Sequence, residues 1–172
     1  QLTRIHSKSF YLSTAFLPEA KRRAIRAVYA FCRSTDDIVD VPSASHLSAF
    51  IGNNVAASPA ALLQEWRIAS RQPSWQQTHP VLLVWATVRE DYGVPQRYAE
   101  ELVEGCEMDV TISRYETWDD LKRYCYHVAS TVGLISAHII GVNGDDSQLF
   151  IKSKPAAIEL GVALQLTNIL RD

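Results

Sequence analysis

Two carboxylates lie one helical turn apart at the end of an otherwise apolar helix face. Between residues 24 and 40, apolar side chains recur every three or four residues up to Cys32, and Asp36 and Asp40 continue that spacing. Because residues four apart share one face of a helix, the face that should pack against the core ends in two acids. Burying them without a partner would cost several kcal/mol. Either this helix end extends into water or a cation lies against the acids.

The same change from apolar to oxygen-bearing side chains occurs on two more predicted helices. Asp109 follows Leu102 and Cys106 on one face. Asn168 and Asp172 end another face in the same way. One such face is typical of a helix end in water, but three favour a polar chamber at one end of a bundle, where like charges repel. A hard divalent cation relieves that repulsion, and an all-oxygen ligand set favours Mg²⁺ over Zn²⁺.

Residues near these acids indicate the kind of ligand. Mg²⁺ held by few carboxylates keeps positions for water and phosphate. Arg33 lies close to the first acid pair and Arg171 is next to the last, and guanidinium groups match the geometry of phosphate oxygens. The expected walls below the acids are apolar or aromatic: Phe10, Tyr29, Val128 and Val132. The pattern therefore predicts a diphosphate ligand with a long hydrocarbon tail.

The composition is that of a globular protein with a hydrophobic core. Of 172 residues, 47% are hydrophobic and 21% are charged, and this length fits a single domain over 1–172. A net charge of -2 gives no basic surface for a nucleic-acid backbone, so nucleic acid is not an expected partner. The three cysteines lack Cys-x-x-Cys spacing and are expected to be free thiols. Since no signal peptide opens the chain, we expect a cytoplasmic location.

Prolines, glycines and capping residues divide the chain into predicted helices. We expect helices over 2–17, 19–40, 46–57, 60–71 and 80–92, then from Pro95, from Thr117 to about Gly141, and from near Pro155, with 72–79 as a loop. Ser58 is a candidate N-cap, and Thr117 with Asp120 resembles a capping box. The buried stripe of the helix after Thr117 is predicted to be Leu121, Tyr124, Val128, Val132, Ile135 and Ile139. With no strand alternation or internal repeat, the fold class is all-α, a helical bundle.

Taken together, the motifs resemble those of the squalene and phytoene synthases. The matching blocks are His-Ser-Lys-Ser-Phe at 6–10, Leu-Pro at 17–18, Val-Tyr-Ala-Phe-Cys-Arg at 28–33, Asp-Asp-Ile-Val-Asp at 36–40, Met-Asp at 108–109, Tyr-Cys-Tyr-His-Val-Ala-Ser-Thr-Val-Gly at 124–133 and Gly-Val-Ala-Leu-Gln-Leu-Thr-Asn-Ile-Leu-Arg-Asp at 161–172. They occur in the family's order and span almost the whole chain. Asp-Asp-x-x-Asp alone would not be specific.

The resemblance implies the isoprenoid synthase fold and roles for individual residues. Asp36 and Asp40 would hold Mg²⁺ on one diphosphate, and Asn168 and Asp172 on the other. Tyr124 matches a tyrosine that acts in proton transfer or steers the cationic intermediate, and it joins Asp36, Asp40 and Asp172 as catalytic. The expected substrate-binding residues are His6, Lys8, Ser9, Phe10, Tyr29, Arg33, Asp109, Val128, Val132, Gln165 and Arg171. By composition alone, Lys8 and Ser9 are instead typical of a solvated turn.

The activity implied by the resemblance is head-to-head condensation of two prenyl diphosphates. With geranylgeranyl diphosphate the product would be phytoene, formed through a cyclopropyl diphosphate for carotenoid biosynthesis. Mg²⁺ is the expected cofactor, with Mn²⁺ as a substitute; NADPH is not expected, since the chain shows no dinucleotide fingerprint. Release of a lipid product would bring peripheral contact with a membrane. The sequence does not determine the oligomeric state.

Other readings stay open at this point. Squalene or dehydrosqualene synthesis from farnesyl diphosphate is one, and chain-elongating prenyltransferases and terpene cyclases also use Asp-rich helices with magnesium. A non-catalytic helical scaffold is another. The family's second acidic motif continues beyond Asp172 to a further aspartate and more helices. We therefore expect the chain to be C-terminally truncated, with little or no activity as a 172-residue piece.

Overall fold

A computed structural model of the protein describes residues 14–41, 58–141 and 147–171. Seven α-helices lie there: α1 Glu19–Asp40, α2 Pro59–Arg71, α3 Pro80–Asp91, α4 Gln96–Thr111, α5 Trp118–Cys125, α6 Thr131–Ile140 and α7 Ser147–Arg171. Short 3-10 helices occur at Thr14–Phe16 and Ser74–Gln76, and a π-helical turn, Tyr126–Ser130, joins α5 to α6. These ranges contain no strand, which confirms the all-α prediction. No helix in them is long and apolar enough to cross a membrane.

The predicted helix boundaries coincide with local capping chemistry. The Ser58 hydroxyl accepts a hydrogen bond from the Ala61 amide at 3.3 Å and caps α2. Thr117 accepts one from the Asp120 amide at 3.2 Å at the start of α5. Gly93 follows α3 with a φ of 59°, a left-handed conformation that favours glycine. These caps confirm the predicted starts of α2 and α5 and the stop after α3.

Two predicted segments differ from the structure. The 72–79 loop contains the 3-10 helix Ser74–Gln76. The last helix begins at Ser147 rather than near Pro155, which lies inside it. A proline inside a helix removes one backbone hydrogen bond. The helix turns before Pro155 are stabilised by tertiary packing, since the Phe150 ring contacts the His138 ring at 4.6 Å between centroids. The predicted helix 46–57 and most of 2–17 lie outside the described residues.

The core is built around the middle of α1. The Phe31 ring stacks on Trp85 of α3 and Trp66 of α2, with centroids 4.5 and 6.0 Å apart. The Trp66 indole donates a hydrogen bond to the Thr35 hydroxyl at 2.9 Å. All three rings are fully buried. Because this packing fixes one face of α1, it also fixes the adjacent face, on which Asp36 lies.

The π-turn between α5 and α6 lies between two glycines. A Cβ on Gly161 of α7 would stand 2.5 Å from the Ser130 Cα, and one on Gly105 of α4 would stand 2.7 Å from the Val128 Cγ1. Both distances are shorter than any ordinary carbon contact. Only glycine at these positions therefore lets α4 and α7 approach the wider π-helical turn this closely.

The π-turn also changes the face that the joined helix buries. The Thr131 amide bonds to the Tyr126 carbonyl, five residues back, so the turn contains one residue more than an α-helical turn. Of the predicted stripe, Ile135 and Ile139 are buried, but Leu121, Tyr124, Val128 and Val132 are only half-buried, so the prediction is wrong for these four. Cys125, Ser130, Thr131 and Leu134 are buried instead.

Candidate active site

A polar cavity of about 660 Å³ opens at the end of α1 that carries the acids. Its lining comes from α1, α4, α5, the π-turn and α7: Arg33, Asp36, Val39, Asp40, Cys106, Asp109, Tyr124, Val128, Gln165, Asn168 and Arg171. Nine of these are residues that the sequence predicted as catalytic, metal-binding or substrate-binding. The fold thus brings the ends of three acid- or amide-bearing helix faces to one cavity.

Some predicted site residues are not part of this lining. Tyr29 is half-buried on α1 but does not line the cavity. Val132 packs against the hydrophobic core, because the π-turn breaks the four-residue spacing that would align it with Val128. The remaining ones lie outside the described residues: His6, Lys8, Ser9, Phe10 and Asp172. The roles given to these residues stay predictions.

Asp36 is the most enclosed of the cavity acids. The thiol of Cys106, one of three free cysteines, donates a hydrogen bond to the Asp36 carboxylate at 3.4 Å. Burial raises the pKa of Asp36 to about 6, with Asp40 adding to the rise and Cys106 and Arg33 opposing it. Burial and the nearby carboxylate also raise the pKa of Cys106, so its thiol stays protonated. Because burial disfavours the charged form of Asp36, a cation bound beside it would stabilise the carboxylate.

Arg33 is oriented by an acid of its own helix. Its guanidinium forms an ion pair at 2.5 Å with Asp37, whose side chain is 3% exposed. The Nε atom of Arg33 is buried and has no hydrogen-bond partner among the described residues. The middle acid of Asp36-Asp37-x-x-Asp40 therefore holds an arginine rather than facing the cavity.

Tyr124 and Asp109 form a pair across the cavity from the start of the acidic motif. The Tyr124 hydroxyl donates a hydrogen bond to the Asp109 carboxylate at 3.1 Å. Burial, followed by the charge of Asp109, raises the pKa of Tyr124 well above its usual range. Burial also raises the pKa of Asp109, against the effect of the Tyr124 hydrogen bond. The tyrosine is thus held as a neutral hydroxyl.

α7 supplies the opposite wall. Its cavity residues are Gln165, Asn168 and Arg171, and the Asn168 amide donates to the Gln165 side chain at 3.4 Å. Asn168 and Arg171 are exposed and Gln165 is half-buried. The cavity therefore sets three carboxylates, Asp36, Asp40 and Asp109, against two arginines.

The donor set fits a hard cation only in part. Within the described part of the chain, no three His, Cys, Asp or Glu side chains are arranged as a ready-made metal site. Asp36, Asp40 and Asn168 nevertheless offer only oxygen, which suits Mg²⁺. Magnesium is commonly bound through one or two carboxylates together with substrate phosphates, so two acids on one helix match that requirement.

Sequence reasoning missed several residues at this site. Val39 and Cys106 line the cavity. Cys106 lies three residues before Asp109 on α4, a spacing that would have indicated it. Asp37 was passed over because its side chain is off the acidic face. Tyr115, whose ring contacts Tyr124, lies between helices and gives no periodic signal.

The all-α bundle with its acid-lined cavity has the isoprenoid synthase fold. A crystal structure of a dehydrosqualene synthase in complex with ligand superposes with a TM-score of 0.77 at 28% identity, covering 99% of this chain and 54% of that one. The crystal structure of squalene synthase HpnC from Alicyclobacillus acidocaldarius superposes with a TM-score of 0.76 at 26% identity, and the match covers 97% of this chain and 57% of that one.

The sequence comparison places the chain within one family of that fold. A model of the squalene/phytoene synthase family matches residues 3–172, and the chain belongs to this family. It is 39% identical to the 15-cis-phytoene synthase of Synechocystis sp. over 100% of its own length and 50% of the relative's. It is 37% identical to phytoene synthase 1, chloroplastic, of Arabidopsis thaliana over 97% of this chain and 37% of that one. The chain thus spans half or less of these two relatives.

Proposed function

We propose that the protein condenses two prenyl diphosphates head to head, with geranylgeranyl diphosphate as substrate and phytoene as product. The observation that carries this proposal is the single cavity in which the acids of α1 and α4 meet the amides and arginine of α7. The similarity to cyanobacterial and plant phytoene synthases supports the choice of product. A cytoplasmic location with peripheral membrane contact belongs to the same proposal, since the product is a lipid.

The residues fall into two diphosphate-binding groups. Asp36 and Asp40 would hold Mg²⁺ or Mn²⁺ on one side, and Asn168 with Asp172 on the other. Bound there, the metal neutralises phosphate charge and makes diphosphate a better leaving group. Arg33 and Arg171 line the cavity and would bind phosphate oxygens. His6, Lys8, Ser9 and Phe10 complete the substrate-binding set of the proposal.

The reaction has two ionisations. Loss of diphosphate from one substrate leaves an allylic cation; the double bond of the second substrate attacks it, a carbon–carbon bond forms and a proton is lost to give a cyclopropyl diphosphate. Loss of the second diphosphate opens and rearranges the ring, and a final proton loss gives phytoene without any reductant. Tyr124, whose neutral hydroxyl donates a hydrogen bond to Asp109, would guide the proton losses and stabilise the cation with its ring.

Dehydrosqualene or squalene synthesis is the second candidate. The two superposed structures favour it, because they are a dehydrosqualene synthase and a squalene synthase. Dehydrosqualene needs only a shorter substrate, whereas squalene also needs a hydride donor such as NADPH. Val128 is an apolar residue at the cavity wall, where it would contact the hydrocarbon chain of either substrate.

The test is product identity. The natural full-length protein is incubated with geranylgeranyl or farnesyl diphosphate, with Mg²⁺, Mn²⁺ or EDTA, and with or without NADPH, and the hydrocarbon is identified by mass. We expect phytoene from the longer substrate, no need for NADPH, and no product with EDTA. The Asp36→Asn, Asp40→Asn double variant should lose activity on the order of 10³-fold, whereas Glu65→Gln, an exposed acid on α2, should not. A metal-independent product would contradict the proposal.

A further inference from the structure

Tyr115 is an aromatic residue that contacts the cavity without belonging to its lining. It lies between the end of α4 at Thr111 and the start of α5 at Trp118. Its ring lies 5.2 Å from that of Tyr124, centroid to centroid, at 30°. It also lines a separate cavity of about 230 Å³ together with Met108 and Arg123. Tyr115 therefore contacts Tyr124 while lining this separate cavity and not the one that holds the acids of α1.

Tyr124 needs such a support. Its hydroxyl donates a hydrogen bond to Asp109 at 3.1 Å, and a bond at the tip does not by itself remove the freedom of the ring to turn about the axis through its hydroxyl. An aromatic neighbour at 4.5–7 Å restricts that freedom and is itself attractive. We propose that Tyr115 is a positioning residue for the reaction: its ring holds Tyr124 so that the Tyr124 hydroxyl stays on Asp109. This inference rests on the proposed function, because it gives Tyr124 a part in the reaction.

The geometry assigns this role to the ring of Tyr115 and not to its hydroxyl. The Tyr115 hydroxyl is buried and has no hydrogen-bond partner among the described residues. A buried hydroxyl without a partner does not contribute stability and carries a desolvation penalty. Phenylalanine would keep the ring contact and remove the penalty. Leucine would fill part of the space but would not reproduce the aromatic contact.

A double-mutant cycle tests this dependence on Tyr124. In the natural full-length protein, we expect Tyr115→Leu to lower kcat about tenfold with KM nearly unchanged, since a displaced catalytic group costs turnover rather than binding. Tyr115→Phe should keep full kcat and an equal or higher Tm. In a Tyr124→Phe background, Tyr115→Leu should cost less than about twofold, because residues that act through one another are not additive. An equal loss in both backgrounds, or an equal loss for Phe and Leu, overturns the proposal.

A measurement that does not depend on turnover separates this inference from the proposed function. With 3-fluorotyrosine at position 124, the ¹⁹F resonance should be single and sharp in the unsubstituted protein and in Tyr115→Phe, and should split or broaden in Tyr115→Leu. Tyr115→Met replaces the Leu variant should that one fail to fold. A resonance that stays single and sharp in the aliphatic variant rejects the positioning role, because a change of position alone follows from the lost ring current. A protein that makes no prenyl product but shows the expected ¹⁹F splitting or broadening rejects the proposed function and keeps the positioning of Tyr124 by the Tyr115 ring.

Discussion

The two walls of the cavity are built in different ways. On the wall formed by α1 and α4, Asp36 accepts a hydrogen bond from the Cys106 thiol, and Arg33 forms an ion pair with the buried Asp37. On the α7 wall, Asn168 and Arg171 are exposed. α7 also exposes large apolar side chains, among them Leu160 at 60%, Leu164 at 56% and Leu170 at 87%.

The cavity residues of α1 and of α7 are held in position by different contacts. The acids of α1 take their positions from the aromatic core, because Phe31 and Thr35 on the neighbouring face are locked by stacking and a hydrogen bond. The residues of α7 take theirs from a close contact at Gly161, against Ser130 of the π-turn. Within the described residues, the first wall is therefore set by packing in the aromatic core, and the second by the packing of α7 on the π-turn and α6, which is tightest at Gly161.

Metal and diphosphate binding should separate the two walls most strongly. We expect Asp36→Asn with Asp40→Asn to weaken binding of Mn²⁺ in the presence of inorganic diphosphate by more than about 100-fold, because the enclosed acids are lost as ligands. Asn168→Ala should weaken it less, since its neutral amide is exposed and contributes no charge. Electron paramagnetic resonance titration measures both. Equal losses of Mn²⁺ affinity in the two variants would mean that both walls contribute equally to metal binding, which contradicts the comparison.

The pH dependence of stability should show the cost of enclosing Asp36. The folded pKa of about 6 lies above the ordinary 3.8, so the folded state holds this proton more tightly, and stability falls as pH rises from about 4 to 6. In the metal-free protein, Asp36→Asn should therefore raise stability by about 3 kcal/mol well above pH 6 and by almost nothing below pH 4. Urea unfolding at pH 4 and 7.5 checks this, with Glu65→Gln as the control. A gain of equal size at both pH values would contradict the burial argument.

The helix crossing at Gly161 should respond to a single methyl group. Gly161→Ala places a Cβ 2.5 Å from the Ser130 Cα and should cost about 1–3 kcal/mol through overpacking. Gly133 on α6 is the matched control, because its Cβ would meet only the Ala157 carbonyl oxygen at 3.7 Å. Gly133→Ala should be neutral or stabilise by up to about 1 kcal/mol, since alanine is the better helix former. Thermal unfolding of both variants measures this difference. Similar Tm values would show that α7 moves to accommodate the added methyl group without loss of stability.

Most of the candidate site could be predicted from periodicity. Asp36, Asp40, Asp109 and Asn168 were found because each continues an apolar helix face, and the structure brings them to one cavity. The position of Val132 could not be predicted, because a π-turn has no signature in hydrophobic spacing and its extra residue ends the alignment of Val132 with Val128. The start of α7 was misjudged because Pro155 is a strong breaker signal that tertiary packing overrides.

The all-α class, most helix ends and the residues at the polar end of the bundle follow from local sequence patterns. Spacing defines a helix face, and Ser58, Thr117 and Gly93 mark helix boundaries without reference to the rest of the chain. Three features could be seen only in the folded protein: Asp37 pairs with Arg33, the Cys106 thiol donates a hydrogen bond to Asp36, and two glycines pack against the π-turn. These features depend on distances between helices, which follow from how the core packs.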